Sequence, residues 1–267
     1  MTVKEVPSEK LSFFRKPFLL ALDRRKPDCE YFELALTLKN GLDDMSKVIL
    51  ELAKKKIRIL SGVHMVREDN FFWFLFIEVP KSVSIDNVSE SLLKIDPVLD
   101  IKWERISESD FFDKFLFPPH FYDDRVILFT ANIFHEIVKE VTDLITGAGE
   151  EILFYREGVT AGSKLYDMFP ERLTSVEEKL AFMKDILRVF GWGIVKLSEI
   201  DLEAKTGLIK VYKSLEATSP VKVKCNFLRG IITGMLRKIF NDPSIEVEEI
   251  KCVSMGNTHC EFKFKLE

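Results

Sequence analysis

Cys225-Asn-Phe-Leu-Arg-Gly230, then Glu246-Val-Glu-Glu-Ile-Lys-Cys252, then Val253-Ser-Met-Gly-Asn-Thr-His-Cys260 together hold three of the chain's four cysteines. Cys225 opens an apolar series, Phe227, Ile231, Ile232, Met235, Leu236 and Ile239, whose 3.6-residue spacing predicts a helix. A thiol at a helix N-terminus is favoured as thiolate by the free N–H groups and the dipole there. Cys252 ends one strand-like run and Cys260 begins the next, across Met255-Gly256-Asn257, which is turn chemistry. Two strands folded back at that turn bring their sulfurs together, and thiolates gathered in a reducing compartment select zinc.

Three sulfurs leave one tetrahedral position for Glu246, Glu248, Glu249 or His259. Strict alternation along a strand puts Glu246 and Glu248 on the face of Cys252 and Glu249 on the other, whereas a bulge would bring Glu249 round. His259 directly precedes Cys260 and points away from it. Buried free thiols also serve simply as packing residues, and the spacing lacks the paired C-x-x-C of the plainest zinc motifs.

The segment from Cys225 to Cys260 resembles the 4-vinyl reductase domain, a small-molecule-binding module of bacterial phenol-sensing activators, archaeal hydrocarbon-binding-like proteins and, more distantly, vesicle-tethering subunits. The likeness rests on Cys225 followed by Gly230 and Gly234 on one helix, a glutamate three residues before Cys252, and the eight-residue step to Cys260 with Gly256 between. It extends over roughly residues 110 to 267 and implies zinc held by Cys225, Glu249, Cys252 and Cys260. It also implies a homodimer formed through helices, and an aromatic or hydrocarbon-like ligand beside the zinc subdomain.

The 267 residues carry a net charge of −4 with acids and bases interspersed, so there is no basic footprint for nucleic acid. Lys54-Lys55-Lys56 suits a solvated helix terminus. No apolar run nears the roughly 20 residues that span a bilayer, and the first residues lack a cleavable leader pattern. A cytoplasmic protein is expected. Cysteine usage does not suggest a disulfide framework, and Cys29 stands alone.

Residues 1–30, with Pro7, Pro17 and Pro27, read as an arm. From Tyr31 the pattern becomes regular. Phe32, Leu34, Leu36 and Leu38 alternate, and Asn40-Gly41 turns into a helix with Leu42, Met45, Val48, Ile49 and Leu52 on one face. Strands at 57–66 and 71–79, a helix at 85–95 and a strand at 98–103 complete a β-α-β-β-α-β, or ferredoxin-like, plan over 31–107. The Leu38-Lys39-Asn40-Gly41-Leu42 turn and the strand after Lys56 resemble ACT domains, in which Asn40, Gly41 and Asp43 would meet an effector. Asn-Gly is also ordinary turn chemistry, which is the simpler account.

Residues 108–267 form a second domain of α+β class, with helices packed on an antiparallel sheet. Helices are expected at 131–146, 148–169 and 176–190 and strands at 193–202 and 207–216, before the cysteine helix and the final hairpin. Gly230 and Gly234, four apart on one helical face, call for another backbone passing close by, from this chain or a second subunit.

Neither a phosphate-cradling loop, nor a dinucleotide fingerprint, nor an ordered Ser, His, Asp set is present. The expected function is therefore binding of a hydrophobic small molecule, lined by Trp192, Tyr166, Phe182 and Phe227, in a regulatory protein with structural zinc. A dimerisation scaffold and an enzyme of tetrapyrrole or aromatic metabolism are the alternatives.

Overall fold

The structure is a computed structural model and describes residues 26–39, 41–67, 70–106, 115–116, 120–121, 124–145, 148–218 and 224–267. The arm, up to residue 25, and Asn40 lie outside the described residues. The chain divides into two compact units, Met1–His120 and Phe121–Glu267.

In the first unit β1 (Cys29–Leu38), α1 (Leu42–Lys54), β2 (Arg58–Arg67), β3 (Asn70–Pro80), α2 (Ile85–Leu93) and β4 (Val98–Arg105) follow one another. The sheet order is β2-β3-β1-β4, with every neighbouring pair antiparallel. This is the split plan expected from the sequence. Alternation builds it: Phe71, Trp73, Leu75, Ile77 and Val79 of β3 and Leu34, Leu36 and Leu38 of β1 are all buried. Val48 and Leu52 of α1 and Val88 and Leu92 of α2 belong to the same core. Gly41 sits at φ 68 at the start of α1, a conformation open to glycine at little cost. The fold of this unit is ferredoxin-like.

The chain then passes through two short strands, β5 (His120–Phe121) and β6 (Asp124–Arg125), and the second unit continues with three helices, α3 (Ala131–Leu144), α4 (Ala148–Asp167) and α5 (Val176–Val189). A hairpin follows, β7 (Ile194–Asp201) and β8 (Thr206–Tyr212), then α6 (Asn226–Ile239), β9 (Ile245–Lys251) and β10 (Cys260–Leu266). The sheet order is β7-β8-β10-β9. Val195, Ile209, Val211, Val247, Phe262 and Phe264 of its inner face pack with Leu228, Ile231, Ile232, Met235, Leu236 and Ile239 of α6. Met183, Ile186 and Leu187 of α5 join this core. α5 opens with a capping box, Ser175 and Glu178 each bonding the other's backbone N–H, which fixes where it starts.

The glycines of α6 meet α4 of the same chain. A Cβ on Gly230 would lie 2.3 Å from the Tyr155 carbonyl oxygen, and one on Gly234 2.2 Å from that of Val159. Gly158 and Gly162 answer from α4, where an added Cβ would lie 2.2 Å from the Phe227 oxygen and 2.1 Å from the Ile231 oxygen. Two small-residue stripes therefore let the helix backbones touch, and they set the height at which α6 presents its first turn.

Candidate metal centre

Cys225 stands immediately before α6, Cys252 just after β9 and Cys260 at the start of β10. β9 and β10 pair antiparallel as the turn chemistry predicts, and the connection is a short 3-10 turn, Val253–Met255, closed by Gly256 in the left-handed region at φ 92. The three sulfurs are 3.6 Å (Cys225 to Cys260), 3.7 Å (Cys225 to Cys252) and 3.8 Å (Cys252 to Cys260) apart. A disulfide would need about 2.05 Å. The edge of a tetrahedron with zinc–sulfur bonds of 2.3 Å is about 3.8 Å, which the sulfurs match.

The ladder decides which carboxylate stands beside the three sulfurs. β9 is in regular register with β10 from Ile245 to Glu249, and the register shifts between Glu261 and Phe262, so that Ile250 is bulged. Glu249 is opposite Phe262 and so faces inward, whereas Glu248 and Glu246 are opposite Lys263 and Lys265 on the outer face. The bulge restores Cys252 to the side of Glu249. Strict alternation, which favours Glu248, fails at this one residue. His259 is engaged elsewhere, its ring Nε2 with Glu261 at 3.2 Å and its face stacked on Tyr212.

Donor atoms of Cys225, Glu249, Cys252 and Cys260 all lie within 4.8 Å of one another. The N–H of Cys225 donates to Glu249 Oε2 at 2.9 Å, while Oε1 of the same carboxylate is buried without a partner. A buried carboxylate oxygen beside three thiols and lacking a hydrogen bond fits a donor set for a cation. Electrostatics say the same. Burial pushes the Glu249 carboxyl up to about 7, with Cys252 adding to the rise. Bonding from Cys225 and Cys260 draws the Cys252 thiol down, while Cys225 is raised by its bonds to Cys252 and Cys260. Crowded acids divide the protons in this way, and a bound divalent ion would reverse the arrangement by holding them all deprotonated.

The described neighbours were not visible in the sequence pattern. Ser214 Oγ lies 3.6 Å from Cys225 Sγ, and Ser254 Oγ 3.1 Å from Cys252 Sγ. Glu216, only 2% exposed, accepts hydrogen bonds from the N–H groups of Phe227 and Leu228.

The family model for the 4-vinyl reductase domain matches residues 209–266, from within β8 to the end of β10. That segment of the second unit is similar to the 4-vinyl reductase domain. Cys225, Glu249, Cys252 and Cys260 all fall inside the matched segment. Among solved structures, the phenol-responsive sensory domain of the transcription activator PoxR with phenol is 21% identical, over 54% of this chain and 77% of that one, with a TM-score of 0.45. A vinyl-4-reductase family protein from Methanocaldococcus jannaschii is 23% identical, over 55% of this chain and 85% of that one, with a TM-score of 0.37. The ACT domain of GTP pyrophosphokinase from Chlorobium tepidum is 13% identical over 28% of this chain and 99% of that one, with a TM-score of 0.26. No curated protein sequence matches the chain.

The four aromatic candidates for ligand contact in the second unit separate into two groups. Trp192 and Phe227 lie with ring centroids 5.4 Å apart, and Phe134 of α3 closes the triangle at 5.5 and 6.0 Å. Tyr166 and Phe182 are joined instead through Phe169, at 4.9 and 4.7 Å. Only the first group adjoins the cysteine end of α6. Among the described residues no helix is long and apolar enough to cross a membrane.

Proposed function

We propose that this chain is a small-molecule sensor in which a structural zinc, held by Cys225, Glu249, Cys252 and Cys260, keeps an aromatic ligand-binding wall in register. The observation that carries this reading is the position of Phe227. It lies two residues past Cys225 on the first turn of α6, and its ring meets Trp192 and Phe134. A shift of the wall on ligand binding is therefore felt by the element that the zinc holds. Four protein donors complete a tetrahedron, which is the arrangement of structural sites; catalytic zinc keeps a position for water. Zinc supplies a crosslink between α6 and the β9–β10 hairpin when bound.

The ligand class is aromatic and weakly polar. Three rings pack on one another, and the buried His135 adds a polar edge, its Nε2 2.8 Å from the Leu215 carbonyl oxygen. Apolar walls with a few polar groups are the common form of such sites. A monophenol has this make-up, one ring and one hydroxyl, and serves as the probe. Output passes through a homodimer. Ile133 (48% exposed), Ile137 (47%) and Leu144 (81%) line one side of α3, while His135 and Val138 are buried on the other. An exposed apolar stripe of this kind fits a second copy of the chain.

Native mass spectrometry of the purified protein tests all three parts together. Two copies, two zinc ions and a retained or titrated monophenol are expected. A phenol titration that leaves Trp192 emission unchanged, in a variant with Trp73 and Trp103 replaced by phenylalanine, would overturn the sensor reading.

A further inference from the structure

Cys225 occupies the N-cap position of α6, where Ser, Thr, Asp or Asn ordinarily accepts a hydrogen bond from the second or third helical N–H. It makes no such bond, and its sulfur faces Cys252 and Cys260 instead. A helix begun in this way leaves its first donors without partners unless another segment supplies them. Here two carboxylates do so. The N–H of Phe227 donates to Glu216 Oε1 at 3.0 Å and that of Leu228 to Glu216 Oε2 at 2.9 Å, while the N–H of Cys225 itself donates to Glu249.

We propose that Glu216 is the positioning residue of the centre, a helix cap supplied from a separate segment that leaves the Cys225 sulfur free for the metal and fixes the Phe227 ring against Trp192. The proposal rests on the zinc reading above. Glu216 belongs to a single 3-10 turn, Glu216–Thr218, in the connection after β8. Its backbone neighbourhood is tied down as well, since the Ala217 N–H donates to Ser214 Oγ at 3.4 Å and Ser214 in turn touches Cys225. One short segment therefore contacts the first turn of α6 at its backbone and at its thiol. A Glu side chain suits the task because its two carboxyl oxygens face two adjacent N–H groups of the first turn. Burial pushes the carboxyl up to about 8 against those same two bonds. A serine at position 225 would cap the helix without that desolvation, but it would bring no sulfur to the centre.

The test uses full-length protein in the background that keeps Trp192 as the only tryptophan. Glu216→Gln preserves the shape and one acceptor, and Glu216→Ala removes both. Zinc affinity is read by competition with a chromophoric chelator, and the thiolate-to-metal band is read after cobalt substitution. Loss of an outer-shell partner lowers metal affinity by about 10–100-fold, so Glu216→Ala should fall in that range and Glu216→Gln between it and wild type, with Trp192 emission displaced in both. Met183→Ala, a core truncation matched in melting temperature, should keep wild-type zinc affinity, which separates positioning from general loss of stability. If Glu216→Ala does not fold, Glu216→Gln carries the measurement. Zinc held equally tightly by wild type and Glu216→Gln, with unchanged emission, overturns the role of Glu216 alone. A wild-type protein that takes up no zinc overturns the metal reading together with it.

Discussion

Replacing Gly230 by alanine places a methyl group 2.3 Å from the Tyr155 carbonyl oxygen, 2.8 Å from the Gly158 Cα and 2.8 Å from the Val159 nitrogen. All three are backbone atoms of α4, so no rotamer change relieves the contact. The helices must part by about 1 Å to restore ordinary van der Waals separation. In an exposed helix the same change would gain about 1 kcal/mol of propensity. Overpacking a well-filled seam costs about 1–3 kcal/mol, and occasionally more. With rigid backbone on both sides the upper end applies, and the expected net loss is about 2 kcal/mol. For a unit of this size that lowers the melting temperature by about 4–8 °C, measured by circular dichroism on zinc-loaded protein. Because α6 also carries Cys225 and Phe227, Trp192 emission should move with it. A Gly230→Ala protein that melts at or above wild type, as an exposed helix glycine would allow, refutes the close crossing and the account of both glycine stripes.

Cys252→Ser should purify without zinc and melt below wild type, and a strong chelator should lower the melting temperature of wild type while leaving the variant unchanged, because binding to a folded site contributes directly to folding free energy. Retention of one zinc per chain by Cys252→Ser would refute the proposed ligand set. Acid stability should depend on Asp242. A hydrogen bond from the Lys205 ammonium, helped by Ser244, holds its carboxyl down to about 2 from an ordinary 3.8. The folded form is then the stronger acid, so this contribution is complete above about pH 4 and is lost as pH falls toward 2. Urea titrations of Asp242→Asn between pH 2 and 6 should show a shallower acid limb than wild type, and an identical limb would refute the assignment.

Much of the first unit was legible because each element announces its own period. Phe71 to Val79 alternates, Leu42 to Leu52 repeats at helical spacing, and the β-α-β-β-α-β order leaves few ways to bury both. Cysteine placement likewise anticipated the meeting of α6 with the β9–β10 hairpin. The choice between Glu248 and Glu249 was not legible from alternation, since it depends on a bulge at Ile250 that is set by how β9 registers on β10. Glu216 gave no signal at all: it lies 11 and 12 residues from the N–H groups it caps, and only the folded connection brings them together. The aromatic candidates show the same limit. Their residue types mark them as wall or core, but whether Trp192 joins Phe227 or Phe182 is decided by the packing of α3, α4 and α5.

The order of strands in the second sheet carries a consequence for how the unit is made. β10 is synthesised after β7, β8 and β9, yet it lies between β8 and β9, and its Phe262 and Phe264 are fully buried. Until it emerges from the ribosome, β8 presents a bare edge and α6 lacks the part of its floor that Phe262 and Phe264 supply. Cys260 arrives with that same strand, so the cluster it forms with Cys225 and Cys252 is completed last. Closure of the interior therefore waits on the last strand, and until then its apolar faces stay open to association.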